Sequence, residues 1–202
     1  MLATSLSLGP RRAAFTLVEL LIVVAIVALL LAILVPTGAS ALEEANIAQC
    51  RANLRQLHQH CLTYAGEHKG GLPVSGVVDG PHPDLVEALK GYVSEPRMYY
   101  CPSETALERV WSPENLAAGR IGYFYYSCRK ATSNRYVSQF LRWSVPWPRR
   151  LVNTMDLKTW VASDAWFSGE PTAHASYKKG VNYITLGGTV DMVTESPREA
   201  FR

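Results

Sequence analysis

The sequence predicts an α+β protein: a long N-terminal helix followed by a small antiparallel sheet. Three observations predict it. An apolar run extends from Phe15 to Val35, interrupted only by Thr16 and Glu19. Apolar residues then recur at helical spacing from Ile47 to Tyr64. The last third reads as strands, with a hairpin centred on Gly187-Gly188.

The apolar run is long enough to cross a membrane. A helix of about 20 residues spans the roughly 30 Å hydrocarbon core of a bilayer. Arg11 and Arg12 precede it, no Lys or Arg follows until Arg51, and Glu43 and Glu44 come soon after. The positive-inside rule places the N-terminus in the cytoplasm and the rest of the chain outside. An ordinary secretory signal has a shorter apolar core of about 7–15 residues. Ala39-Ser40-Ala41 imitates a signal cleavage site, so simple secretion stands as the alternative for this segment.

Composition narrows the function classes. The chain has 202 residues, and the part beyond the apolar run is long enough for one domain with a core. Net charge is +3, with two of the basic residues ahead of the run. The remainder is near neutral, so no nucleic-acid surface is expected. Four cysteines, Cys50, Cys61, Cys101 and Cys128, fall on the predicted outer side, where disulfides are permitted.

The segment Arg11-Arg12-Ala13-Ala14-Phe15-Thr16-Leu17-Val18-Glu19-Leu20-Leu21 resembles the prepilin cleavage and methylation motif of type IV pilins and type II secretion pseudopilins. The resemblance implies a cut between Ala14 and Phe15 by a membrane-embedded peptidase, then N-methylation at Phe15. Glu19 becomes the fifth residue after the cut, the position of the family's signature glutamate. Pro36 falls where many members also have proline. The chain departs from the pattern at Ala14, where the family usually has glycine. The implied fold is a pilin roll. The implied organisation is a cytoplasmic leader (1–14), a transmembrane and filament-core helix (15–37), an amphipathic helix (38–66) and an extracytoplasmic head (67–202).

Glu19 supports that resemblance on physical grounds. A carboxylate inside a membrane helix costs about 2.5–3.5 kcal/mol at the centre and less near an end. No Lys, Arg or His lies in the run to partner it. Cleavage before Phe15 creates an α-amino group. In family assemblies that amine pairs with the glutamate of a neighbouring subunit. The competing reading is that Glu19 reaches the headgroups or its own amine one turn away.

Pro36-Thr37-Gly38 predicts a kink or a break, because proline removes an intrahelical hydrogen bond. Helical patterning then resumes. Ile47, Cys50, Leu54, Leu57, Cys61 and Tyr64 recur at steps of three and four and form one stripe. Glu43, Glu44, Gln49, Arg51, Arg55, Gln56 and Gln59 are expected on the opposite side, and Gly66, Gly70 and Gly71 at the end. Cys50 and Cys61 lie about 16 Å apart along such a helix, beyond the roughly 7 Å reach of a disulfide. Each is therefore a buried thiol or is paired with Cys101 or Cys128.

Three further segments resemble recurrent motifs of large pseudopilin-like families. They are Cys50-Arg51-Ala52-Asn53-Leu54-Arg55-Gln56-Leu57, Cys101-Pro102-Ser103, and the run from His174 through Gly180, Asn182 and Gly188 to Val190. In the last, Gly187 stands where those families have aspartate. Between them, Asp84–Leu89 reads as a short helix with Asp84 as N-cap, and Ser112-Pro113 opens another turn. Residues 121–128, 159–164 and 181–193 read as strands. Cys101 and Cys128 are the expected disulfide pair. The aromatic stretch around Trp143 and Trp147 reads as a surface loop packing on its own head.

No catalytic motif is present. His58 and His60 are two apart and do not make the i, i+4 pair of a helical zinc site. There is no His-Glu-x-x-His, Cys-x-x-Cys, phosphate-binding glycine loop or Gly-x-Ser-x-Gly elbow. Asp156, Asp164 and Asp191 match no calcium loop of the kind some major pseudopilins carry. The expectation is a structural subunit with no enzyme activity, no metal and no cofactor, with calcium as the alternative ligand. Its implied partners are copies of itself and other pseudopilins, the prepilin peptidase, an inner-membrane assembly platform and the membrane. A membrane-anchored extracytoplasmic enzyme or binding domain is the alternative.

Overall fold

The structure, a computed structural model, describes residues 16–75, 80–126, 157–158, 160–167, 170–171, 174 and 180–194, with backbone alone for Pro36, Thr37, 166–167 and 170–171. It is an α+β arrangement in two compact units, Met1–Ala41 and Leu42–Arg202. Helix α1 covers Leu17–Glu67. Two short helices follow, α2 (Pro83–Leu89) and α3 (Pro113–Ala117), with a 3₁₀ turn at Pro96–Tyr99 between them. The strands are β1 (Tyr123–Tyr125), β2 (Trp160–Asp164), β3 (Trp166–Phe167), β4 (Glu170–Pro171), β5 (Val181–Thr185) and β6 (Val190–Val193). The main sheet runs in the order β1-β2-β5-β6, every neighbour antiparallel, and β3 pairs with β4 in a separate ribbon.

In the first unit the apolar run is helical and exposed, from Leu17 to Val35. An 18-residue window within α1 has a mean hydropathy of 3.3, and none of that window is buried. By length and composition this helix can cross a membrane. The helix does not break at Pro36. The backbone stays helical through Pro36-Thr37-Gly38, so proline's lost hydrogen bond is absorbed within the helix.

In the second unit the stripe becomes the core. Ile47, Cys50, Leu54, Leu57 and Cys61 are buried, joined by Ala65, while Tyr64 is only half-buried and stacks on His68. Cys50, Leu54, Leu57, Cys61 and Ala65 pack with Leu85, Leu89, Tyr99, Tyr123, Tyr125, Ala162 and Ile184. Burying each leucine stabilises the fold by about 1.5–3 kcal/mol. Two polar ties fix the helix in place: His58 Nε2 bonds the Leu186 carbonyl at 2.9 Å, and Asn53 Nδ2 donates to the Tyr100 carbonyl at 3.0 Å.

The C-terminal hairpin forms as its sequence predicts, with Val181 opposite Val193 and Ile184 opposite Val190. Of the two turn glycines only Gly188 takes a positive φ, at +82°. The Trp160 and Tyr183 rings stack 4.0 Å apart across the sheet. The predicted 121–128 strand is shorter, three residues long. Cys128 and the stretch around Trp143 and Trp147 lie outside the described residues. Helix α2 starts one residue earlier than predicted. Pro83 opens it, Asp84 sits in the first turn, and His82 takes the cap position with its side chain making no bond to the helix start. Proline suits that place because the first helical N–H has no partner to lose. Ser112 does cap α3, accepting from the Asn115 N–H at 3.0 Å.

Among the described glycines, Gly119 leaves the least room for a side chain. Its φ is +69°, and a Cβ there would lie 2.4 Å from the Pro83 nitrogen. Gly119→Ala is expected to cost about 2 kcal/mol or more, from the left-handed backbone and the clash together. A urea midpoint that falls at unchanged m-value would show it.

Candidate functional site

Two places in the chain gather chemistry. The first is the start of α1. Thr16 stands at the N-cap and Glu19 three residues on. The Thr16 backbone N–H donates to Glu19 Oε2 at 2.9 Å and its hydroxyl at 2.8 Å, while the Glu19 N–H donates to Thr16 Oγ1 at 3.2 Å. This reciprocal pattern is a capping box, which satisfies donors that a helix start leaves without partners. The sequence carries its signature, Thr-x-x-Glu ahead of an apolar run, so Glu19 has a local role at the helix start. Both capping bonds use Oε2. A carboxylate has about four acceptor sites, so capping leaves room for a second donor. Ala14 and Phe15 lie outside the described residues.

The second place is buried in the unit from Leu42 onward. Cys50 from α1, Cys101 from the loop after the 3₁₀ turn, Asp164 from the end of β2 and His174 ahead of β5 converge. Their ligand-type atoms all lie within 4.8 Å of one another, and all four residues are buried. The Cys50 thiol donates to Asp164 Oδ1 at 2.7 Å. Cys101 Sγ lies 3.3 Å from His174 Nε2, and His174 Nε2 lies 3.8 Å from Asp164 Oδ2. His174 holds a left-handed backbone, φ +59°, unusual for a residue with a side chain.

A second ring of bonds orients these four. Glu43 Oε1 accepts from His174 Nδ1 at 2.6 Å. Glu43 is itself held by the Ser103 hydroxyl at 2.8 and 2.9 Å and by Asn46 Nδ2 at 3.3 Å. Asn182 donates twice to Asp164 Oδ2, from its backbone at 2.9 Å and its side chain at 2.8 Å. Arg51 Nε in turn donates to Asn182 Oδ1 at 2.9 Å, and the Tyr123 hydroxyl donates to Cys50 Sγ at 3.6 Å. Because Glu43 accepts at Nδ1, that nitrogen carries a proton in either charge state of the ring, and Nε2 faces the cluster.

The electrostatics follow from burial and from these bonds. Burial pushes the Cys50 thiol well above its ordinary value. The hydrogen bond with Cys50 holds Cys101 below its own. Burial raises the Asp164 carboxyl. Burial also opposes charge on His174, but Cys101, Asp164 and Glu43 outweigh it and hold its pKa up at about 9. Glu43 is lowered, because its bonds from His174, Ser103 and Asn46 exceed the effect of burial.

Glu43 corrects a sequence expectation. Its place in the sequence predicts the polar side of the helix, yet it turns inward to His174. The signal is present: position 43 is four before Ile47 and continues the buried stripe. Of the expected disulfide pair, Cys101 is a buried free thiol and Cys128 lies outside the described residues. Cys61 is also a buried thiol, raised to about 12 by burial. Asp191 is on β6 and Asp156 is outside the described residues. Ser75 and His82 bond each other, but both are fully buried, so no substrate carbonyl can approach.

Comparison with known families bears on the first place. Residues 9–35 match the prokaryotic N-terminal methylation motif. The match supports a type IV pilin-like, prepilin-type protein. The matched span takes in Ala14, Phe15 and Glu19 and ends at Val35, the last residue of the exposed apolar run. No curated protein and no solved structure matches the chain.

Proposed function

We propose that this prepilin-type chain is a pseudopilin-like structural subunit rather than an enzyme. The precursor sits in the inner membrane, N-terminus cytoplasmic and head periplasmic. The prepilin peptidase cuts between Ala14 and Phe15, and Phe15 is then N-methylated. An assembly platform draws the subunit into a pseudopilus or pilus serving type II secretion, beside copies of itself and other pseudopilins.

The observation that carries this reading is a coincidence of position. The methylation motif of residues 9–35 covers the same stretch that forms an exposed apolar helix. Such a helix is stable in lipid and equally stable packed against copies of itself, so the same segment serves as anchor and then as filament core. The four side chains of the head's polar cluster are all buried, which favours a structural role over the enzymatic alternative.

Mass spectrometry of protein made together with its peptidase is expected to find an N-terminal, methylated Phe15. An intact Met1, or a mature start beyond Val35, would refute the processing step.

A further inference from the structure

We propose that Cys50, Cys101, Asp164 and His174 form a closed four-ligand site for a thiophilic divalent cation, zinc foremost. Two sulfurs, an imidazole nitrogen and a carboxylate oxygen are all established zinc donors, and four protein ligands make the site structural rather than catalytic.

The distances fit. Zinc lies about 2.3 Å from sulfur and about 2.0–2.2 Å from nitrogen or oxygen, so the edges of a zinc tetrahedron run to about 3.3–3.8 Å. The Cys101–His174 edge is 3.3 Å, and His174 Nε2 lies 3.8 Å from Asp164 Oδ2, the carboxylate oxygen next to the ligating one. The Cys50–Asp164 edge is 2.7 Å, and no ligand pair exceeds 4.8 Å. Small side-chain adjustments close the set around one ion. Asn182 occupies Asp164 Oδ2 with two donors and leaves Oδ1 directed at Cys50.

The outer bonds are those a metal site requires. A metal-ligating histidine donates its other N–H to a carboxylate or carbonyl, which fixes the tautomer and the ring. His174 does so to Glu43, and Glu43 is itself anchored by Ser103 and Asn46. A plain buried thiol pair needs none of this. Burial supplies the second argument. A carboxylate fully removed from water needs a countercharge, and no Lys or Arg is bonded to Asp164 among the described residues. The His174 imidazole, 3.8 Å from Oδ2, takes that part without an ion, so a bound divalent cation would supply it once Nε2 gives up its proton. Two thiolates, one carboxylate and a neutral imidazole against a divalent cation leave one net negative charge, enclosed by the donors of Asn182 and Tyr123.

Binding is a proton exchange without redox change. The proton of the Cys50 thiol and the proton shared by Cys101 and His174 Nε2 leave to solvent, and two metal–sulfur bonds, one metal–nitrogen bond and one metal–oxygen bond form. The ion would join four segments far apart in sequence: the outer part of α1, the Cys-Pro-Ser loop, the end of β2 and the connection before β5. Cys50, Cys101 and His174 are also the residues that open the three motif-like segments which membrane anchoring and filament assembly leave unexplained. A metal site accounts for all three together.

The test uses the full chain, purified in detergent under reducing conditions and incubated with zinc. A single zinc ion per chain is expected after dialysis. Cys50 and Cys101 should resist alkylation until a strong chelator is added, and cobalt(II) in place of zinc should give the visible bands of a tetrahedral thiolate site. Cys101→Ser and His174→Ala should lose the zinc, while Cys61→Ser, altering a buried thiol elsewhere in the core, should keep it. Because loss of zinc in the first two variants could also come from misfolding, the wild-type zinc content decides on its own. Folded wild-type chain without zinc overturns the proposal. So does a Cys50–Cys101 disulfide, found by non-reducing peptide mapping in protein taken from its native compartment.

Discussion

Glu19→Gln is expected to insert into the membrane at wild-type level and to fail in assembly as fully as Glu19→Ala. One carboxylate holds two separable roles. Glu19 closes a capping box with Thr16, and glutamine serves at that position as well as glutamate. The glutamine variant therefore keeps the helix start and loses only the charge. On the proposed assembly, that charge meets the α-amino group of a neighbouring Phe15 in a setting with little water. Removing one partner of a buried pair costs about 3–5 kcal/mol, a loss of roughly a hundredfold or more in subunit association. Thr16→Ala makes the reverse test. It breaks the cap, at a cost of about 0.5–2 kcal/mol, and keeps the charge, so filaments should persist at reduced yield. Filament yield after shearing and membrane fractionation together measure both effects. If Glu19→Gln assembles normally while Thr16→Ala does not, capping is the whole role of this residue.

What the sequence makes legible is periodic or local. The helix, its buried stripe, the C-terminal hairpin and the cap of α3 all rest on neighbours within a few positions. Backbone geometry turns such spacing directly into structure. Pro36 marks where local preference stops deciding. Of the kink or break that proline by itself predicts, the break does not occur: the backbone stays helical through it. The buried cluster lies further out of reach. Its ligands stand at 50, 101, 164 and 174, so no spacing rule for metal sites applies. Only tertiary packing brings them together: β2 lies between β1 and β5, which sets Asp164 opposite Tyr123 and within reach of Asn182, while α1 and the loop after the 3₁₀ turn bring in Cys50 and Cys101. Glu43 falls between these cases. Its place on the stripe is readable, but a charged residue at the edge of a stripe is ordinarily solvated, and only His174 gives it a reason to turn inward.

Glu43 therefore provides the sharpest quantitative test of the proposed metal site. Glu43→Gln keeps the size of the side chain and an oxygen to accept from His174 Nδ1. It removes the negative charge that strengthens the imidazole as a donor. Loss of such an outer partner lowers metal affinity about 10–100-fold, equivalent to about 1.4–2.8 kcal/mol. With zinc far above its dissociation constant, stability gained from binding follows the logarithm of that affinity. The zinc-loaded variant should thus be less stable than wild type by about 1.4–2.8 kcal/mol, and the difference should shrink sharply once both are stripped by chelator. A purely structural role for the Glu43–His174 bond predicts the opposite pattern: an equal deficit with and without zinc. Thermal melts of the full chain in detergent, run with zinc and with chelator for both proteins, distinguish the two. The metal-dependent part of the deficit isolates what Glu43 does through His174 from what it does for the fold.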